Sequence, residues 1–557
     1  MHFLLYFWLL TSISLCLAVT PSRTIAKRDP TSFVSSTSSG FSVNGSSLRY
    51  VGTNLYWLPT LESNDDIWNV LANISSLGIK VVRLWAFNDV ETIPDTGTWF
   101  QLVQNGTTTI NDGPNGLQKL DTVIQMAEQQ GLYVILSLTN NWNPVPNTTT
   151  TGNSTQVLAS TNIPRNTLSN DFGGMDLYVR QFGLQYHDDF YTHAGILTAF
   201  QNYTQQIVTR YADSPAVFSW ELANDARCNS TQATSPTCTT QTVTQWHATM
   251  ASFIATLDSN HIVSAGTSGY QCTDCQKLYP ITPTVTSTPS PAPGKKRKVT
   301  PLTNAQIVRK RAESKRRSRA AAIRAGTLKE DGIRIRGRWV STMARRQEIS
   351  TGSSSTTDGS AGVDSQDILN IPNIGFGSFQ VFPDQESYGT DDPNLDPVDN
   401  KINSSLLWIQ QSAQSAAAVG KPVVLTGFGL VTQDNLQSFV PFNMTYAPYA
   451  SMATDVVNTT TSFANSTQQE TGYSSFLENN DTKSIAVANS AGLAGVMQYQ
   501  WGSTGITQSS STIQLDSSTS PSTDTGDTPN DGYSIANNTA IQQILMQGAQ
   551  AMAANPL

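Results

Sequence analysis

Leu117-Gln-Lys-Leu-Asp-Thr-Val-Ile-Gln-Met-Ala-Glu-Gln-Gln-Gly131-Leu-Tyr-Val-Ile-Leu-Ser137 carries one whole unit of the fold. Leu117, Leu120, Val123, Ile124 and Ala127 recur three or four apart, which lays one apolar stripe along a helix running to Gln130. Gly131 stands where a helix ends on a glycine with left-handed backbone. Tyr133 to Ser137 then reads as a short buried strand.

Working outward, the same unit recurs. Strand candidates are Tyr50 to Asn54, Val81 to Trp85, Tyr133 to Ser137, Val217 to Glu221, Ile262 to Gly266, Phe376 to Phe382, Pro422 to Thr426 and Gly495 to Trp501. Helical patterns cover Asp65 to Leu77, Leu117 to Gln130, Gly195 to Tyr211, Val243 to Leu257, Ser404 to Ala418 and a closing Ile541 to Ala553, with Gly78 as a second helix stop. Strands alternating with helices specify a parallel sheet, and eight such units predict an α/β fold of the (β/α)8, or TIM-barrel, type. Chemistry in such a barrel sits at the C-terminal strand ends.

The N-terminus predicts export. An apolar run from Leu4 to Leu17 ends at Ala18, the pattern of a signal peptide over 1–18, with a short pro or linker segment over 19–41 holding the dibasic Lys27-Arg28. No later stretch has the roughly 20 apolar residues of a spanning helix, so no stable membrane anchor is expected. Asn-x-Ser/Thr triplets from Asn44 to Asn537 fit a glycoprotein. After Cys16 leaves with the signal, Cys228, Cys238, Cys272 and Cys275 predict two disulfides with three pairings open. Neither a metal nor a cofactor is expected. Cys272 and Cys275 lack a second ligand pair, and His187 and His193 read as structural.

One segment breaks the pattern. Between barrel segments 42–281 and 361–557, residues 282–360 form a Thr/Ser/Pro linker and a basic insert after the fifth strand. Lys295 to Arg346 hold 18 of the 33 Lys and Arg residues against Glu313, Glu330, Asp331 and, just beyond, Glu348, so the insert is about +14 and the remainder about −22. A nucleic-acid partner is not expected for an exported chain. The insert reads as a disordered loop, a contact for an anionic wall polymer, a segment excised at its basic ends, or a retained intron. A second low-complexity stretch, Ser503 to Asp531, reads as a flexible surface loop.

Seven ordered segments carry a resemblance. They are Val51 to Leu58, Val82 to Asp89, Gly116 to Asp121, Asn140 to Trp142, Tyr211 to Asn224, Lys421 to Leu425 and Gln500 to Gly502. Together they resemble the endo-β-1,4-mannanases of glycoside hydrolase family 5, retaining enzymes that need two glutamates. The resemblance implies an acid/base in Trp-Glu-Leu-x-Asn-Glu-Pro, where this chain reads Trp220-Glu-Leu-Ala-Asn224-Asp225-Ala226. It implies a nucleophile in Glu-Glu-Phe/Tyr-Gly, where the chain reads Thr426-Gly427-Phe428-Gly429. A His-x-Tyr-Pro motif appears as Gln380-Val-Phe382-Pro383.

Asp225 is therefore expected to be a weakened acid, and Gly427 supplies no nucleophile. Gln380 and Phe382 extend the loss to supporting positions. The resemblance also implies that Arg83 braces the centre, that Asn224 meets a sugar hydroxyl and that Trp501 stacks beneath the sugar. Trp57, Trp85 and Trp142, at or just after strand ends, extend the sugar groove.

Three functions follow as expectations. The first is a protein, secreted or held in the cell wall, that binds β-mannan or a related polysaccharide with little or no hydrolysis. The second is an active mannanase by an unusual route, with Asp225 as acid and Glu386 or Asp384 as second carboxylate. The third is a structural wall glycoprotein whose insert does the binding.

Overall fold

The computed structural model describes residues 32–38, 40–145, 148–151, 154–157, 165–281, 333–335, 338–340, 356–445, 447–449, 462–477, 492–507 and 525–555. The predicted signal, Lys27-Arg28, the linker from Thr282, most of the basic insert and residues 508–524 of the low-complexity stretch lie outside the described residues.

Eight strands build the barrel: β1 (Tyr50–Asn54), β2 (Val81–Trp85), β3 (Tyr133–Ser137), β4 (Val217–Glu221), β5 (Ile262–Ser264), β6 (Gly377–Val381), β7 (Val423–Phe428) and β8 (Gly495–Gln498). Their order is β5-β4-β3-β2-β1-β8-β7-β6, with every neighbouring pair parallel. A parallel bridge from Ser264 to Phe376 joins the two ends and closes the ring. All strand residues are buried, because helices cover the outer face and side chains fill the inner one. The predicted (β/α)8 architecture is the observed one.

The first four strands match the sequence reading residue for residue. β7 differs usefully: it runs to Phe428, so Gly427 lies inside the strand, opposite Gln380 of β6 across a register shift. Irregular register at a barrel rim re-aims side chains near sites.

Helices follow their end signals. Ser63 caps Asn64–Ser76 by accepting from the Asp66 amide, and Gly78 follows with φ of 79°. Gly131 takes φ of 71° after Leu117–Gln129, as predicted. Helix Pro397–Val419 begins seven residues before the predicted Ser404, because Asp396 caps it and Pro397 fills the first position, where no amide is needed.

Phe41, from the hairpin of Phe41–Val43 and Ser46–Leu48, plugs the N-terminal end of the barrel. Its ring meets Phe218 at 4.9 Å and Phe376 at 5.2 Å, both edge-on. That end is sealed apolar core, which leaves the opposite rim for chemistry.

The four cysteines pair as Cys228–Cys238 and Cys272–Cys275, one of the three combinations open to the sequence. The barrel unit comprises Met1–Ile281 with Ser354–Leu557, so it resumes before residue 361, and Asp358 bridges Cys272. In the second unit, Thr282–Ser353, the described residues are two antiparallel strands, Ile333–Ile335 and Arg338–Val340.

Candidate functional site

A cavity opens at the C-terminal ends of the strands, lined by residues that include Arg83, Asn224, Asp225, Gln380, Phe382 and Gly427. β2 delivers Arg83 and Trp85. The segment after β4 delivers Asn224, Asp225 and Arg227, while β6 and β7 deliver Gln380 and Gly427.

Arg83 is the electrostatic centre of the floor. It is fully buried and grips Glu221 through Nε at 3.0 Å and Nη2 at 2.5 Å. Its remaining donors reach Asn54 Oδ1 at 3.0 Å and Asn224 Oδ1 at 2.9 Å. Glu221 is thus the partner of Arg83, and the fork geometry of guanidinium and carboxylate explains why this position needs arginine. Asn224 also accepts from Gln380 Nε2 at 3.0 Å and donates to Asn140 Oδ1 at 2.8 Å. Gln380, which cannot titrate, has joined the amide network in this way.

Beyond β4 the chain keeps pairing. The Asn224 amide donates to Thr139 O and the Asp225 amide to Gly266 O, each at 2.8 Å. Asp225 sits at φ of 61°, in the left-handed region where Asp and Asn are the commonest residues after glycine. Its side chain is already engaged. Oδ2 accepts from Arg227 Nε at 2.7 Å and Trp142 Nε1 at 3.3 Å, and Oδ1 accepts from Ser268 Oγ.

Arg227 in turn is buried within an aromatic enclosure. Its guanidinium lies 4.7 Å from the Tyr270 ring and 5.2 Å from both Trp142 and Phe442. It also contacts Glu386 Oε1 at 3.1 Å. A proton donor must aim a proton at the scissile oxygen, yet both Asp225 oxygens face donors from the protein. Of the two candidate second carboxylates, Glu386 lines the cavity but is drawn to Arg227. Asp384 pairs with Lys401 Nζ at 2.7 Å and accepts from the Val431 amide, away from the cavity.

At Gly427 a side chain would press on Phe382. A Cβ there would lie 3.1 Å from Phe382 Cζ and 3.9 Å from Gln380 Cγ. Phe382 is held edge-on to Tyr499 and Tyr533, with ring centres 5.2 and 5.4 Å away. Loss of the β7 carboxylate and the phenyl ring at 382 are therefore one packed arrangement.

Trp85 and Trp142 line the cavity. Trp57 and Trp501, expected to face the sugar, are instead core residues. Both are fully buried, and Trp57 Nε1 donates to Trp501 O at 3.3 Å. The cavity aromatic after β8 is Tyr499. Both aromatics lie just past the strand, and the backbone path there, with the Trp501 amide bonded to Asn54 O, decides which faces inward.

His187 is structural, with Nδ1 on Asp176 at 2.7 Å and Nε2 on Asn141 Oδ1 at 2.9 Å. His193 caps the helix Ala194–Tyr211.

The sequence reading missed Arg227, Tyr270, Phe442, Tyr499 and Asp531. Arg227 was legible as the charge two residues after Asp225. Asp531 carried no such signal, since it ends the low-complexity stretch. That stretch is a surface loop only in part. Thr504–Thr507 pairs with Thr525–Asp527, and the following turn brings buried Asp531 to the cavity.

Loss of hydration raises Asp89 and Asp171 to about 7 and Asp531 to about 6 from an ordinary 3.8, and lowers His247 to about 4 from 6.5. Carboxyls with raised folded values add stability that is complete below 3.8 and lost as pH rises through 6 to 7. His247 works oppositely, adding stability above 6.5 that is lost as pH falls through 4. Three groups outweigh one. Thermal unfolding should therefore occur several degrees lower at pH 7.5 than at pH 5, and an equal or higher midpoint at pH 7.5 would contradict this assignment.

Known proteins resemble the chain in sequence and in fold. Residues 34–296 match the family model described as Cellulase (glycosyl hydrolase family 5). Mannan endo-1,4-beta-mannosidase A of Aspergillus aculeatus is 35% identical over 272 residues, which are 48% of this chain and 62% of that protein. Mannan endo-1,4-beta-mannosidase F of Aspergillus fumigatus is 37% identical over 268 residues, 47% of this chain and 53% of that one. The chain thus spans between half and two thirds of the length of these relatives. The crystal structure of the endo-1,4-beta-mannanase from Rhizomucor miehei shares the fold, with a TM-score of 0.57 at 23% identity over 94% of this chain and 100% of that chain.

Proposed function

We propose, from the match of residues 34–296 to glycosyl hydrolase family 5, that the chain is a secreted protein which binds β-mannan or a related cell-wall polysaccharide and hydrolyses it feebly or not at all. One observation carries the second half of this reading: Gly427 offers no nucleophile, and the Phe382 ring beside it lacks the hydroxyl of the family's tyrosine. A retaining mechanism forms and breaks a covalent glycosyl bond at that carboxylate, and no other group at the β7 end can take its place.

The first half rests on what is kept. Arg83, Asn224, Trp85 and Trp142 remain at the rim, and Tyr270, Phe442 and Tyr499 add aromatic surface suited to pyranose faces. Fungal relatives bear the name mannan endo-1,4-beta-mannosidase, which supports mannan as the polysaccharide to try first. Export fits the apolar N-terminus, and no helix among the described residues is long and apolar enough to cross a membrane.

Affinity electrophoresis tests the reading. The chain should be retarded in gels containing galactomannan or glucomannan, and Trp85→Ala or Tyr499→Ala should reduce that retardation at least about fivefold. Unretarded migration of the natural chain in both gels would remove the binding function. The anionic-polymer reading of the basic insert separates in the same format, because deletion of Lys295 to Arg346 should leave retardation by these neutral polymers, taken relative to a polymer-free gel, unchanged.

A further inference from the structure

Val440 to Met444, on the chain after β7, form a strap tied to three sides of the rim. The Val440 amide donates to Asp531 O at 3.0 Å, the Phe442 amide donates to Gln385 Oε1 at 2.8 Å, and Phe442 O accepts from Asn170 Nδ2. Those partners stand on the segments after β8, β6 and β3. The Phe442 ring closes against Trp142, with ring centres 4.7 Å apart, and lines the cavity. The Met444 amide returns to Pro441 O at 3.0 Å, which makes Pro441 to Met444 a tight turn with Phe442 and Asn443 at its centre. Phe442 belongs to the cavity wall, and its neighbour Asn443 is exposed.

Asn443 opens the triplet Asn443-Met-Thr445, the acceptor pattern for an N-linked glycan in an exported chain. Its setting differs from that of exposed Asn44, in the turn of the N-terminal hairpin, and of exposed Asn73, Asn202 and Asn403, on helices of the outer ring. An N-glycan is bulky and keeps to water. On Asn443 it starts one residue from a ring of the cavity wall, and the strap that carries it is pinned at Val440 and Phe442. It therefore stands beside the mouth that a polysaccharide has to enter.

We propose that Asn443 is an N-glycosylation site and that its glycan restricts access of polysaccharide to the groove. The donor is an oligosaccharide on a polyprenyl pyrophosphate. Asn443 Nδ2 forms a bond to the first sugar's C1, the C1–O bond to the pyrophosphate breaks, and the amide gives up one proton as the lipid pyrophosphate leaves. The access role rests on the polysaccharide-binding reading, and the modification itself rests on export. A mouth covered for part of the time lowers apparent affinity in proportion to the time it stands open.

Mass spectrometry of the full chain secreted from a fungal host tests the modification: most copies of the peptide bearing Asn443 should carry a glycan, and a peptide found mainly unmodified would overturn the proposal. Affinity electrophoresis in galactomannan gels tests the access role. Asn443→Gln should bind about three- to tenfold more tightly than the natural chain, and enzymatic removal of glycans from the folded natural chain should give the same gain without any substitution. Thr445→Ser, which keeps the triplet, should behave as the natural chain, and so should Asn73→Gln, which removes an acceptor on an outer helix. Equal retardation before and after glycan removal would overturn the access role, as would a gain from Asn73→Gln as large as that from Asn443→Gln. Should neither form be retarded while Asn443 carries its glycan, the polysaccharide reading fails and the access role with it, and the modification stands.

Discussion

Reducing-end release from galactomannan should stay at the level of the enzyme-free control for the natural chain and for Gly427→Glu alone, and should appear only when Gly427→Glu, Asp225→Glu, Gln380→His and Phe382→Tyr are combined. The single change fails for two reasons. A Cβ at 427 meets Phe382 Cζ at 3.1 Å, so a ring packed on Tyr499 and Tyr533 must give by a few tenths of an ångström. Overpacking of this kind costs about 1–3 kcal/mol. Nor does a nucleophile act without a proton donor that reaches the leaving oxygen. Residues that work as a unit restore activity as a unit, and the combined variant should exceed the single one by about 10³-fold or more.

Two results would count against this account. Hydrolysis by the natural chain that disappears in Asp225→Ala would favour a direct displacement by water, with the cavity-lining Glu386 as the candidate second carboxylate. A combined variant that folds normally yet stays inactive would show that the groove, as well as the chemistry, has been lost.

Replacing Arg83 should produce the largest loss of stability of any substitution at the rim. Arg83→Ala leaves Glu221 buried without its bidentate partner and strips a donor from both Asn54 and Asn224. Breaking a buried pair by removing one member costs about 3–5 kcal/mol, because an uncompensated charge stays behind. Arg83→Lys should recover only part of this, since an ammonium cannot serve three acceptors in the plane of the fork. Replacing both members by Met and Leu should cost less than Arg83→Ala, for then no charge is stranded. Denaturant midpoints measure all three, and an Arg83→Ala chain within about 1 kcal/mol of the natural one would refute the assigned role.

How far the site could be read depended on where each residue lay. Asp225, Asn224 and Arg83 sit in or beside strands whose pattern is explicit, so their convergence at one rim follows from the barrel itself. Gly427 was legible as a missing side chain, but its tight neighbour was not: the Phe382 ring reaches position 427 across a shifted β6–β7 register. Trp501 and Tyr499 differ by two positions in sequence, and only the path of the chain after β8 sends one into the core and the other into the cavity. Asp531 was hidden by composition. Serine, threonine and aspartate around it carry no periodicity, and its role arises from contacts with Ser169 and Tyr499, 362 and 32 residues away in the chain.

The amino-acid order by itself determined the alternation of strand and helix, the helix stops at Gly78 and Gly131, the closure into eight units and the absence of a carboxylate at 427. These are local or periodic properties, set by side-chain pattern and backbone sterics within a few residues. Only the tertiary structure decided that Cys228 joins Cys238, that Arg227 takes Asp225 Oδ2 while Ser268 takes Oδ1, and that Asp531 lines the cavity. Those facts depend on which distant segments meet at the rim, and hydrogen bonding and packing between them carry no signature along the chain.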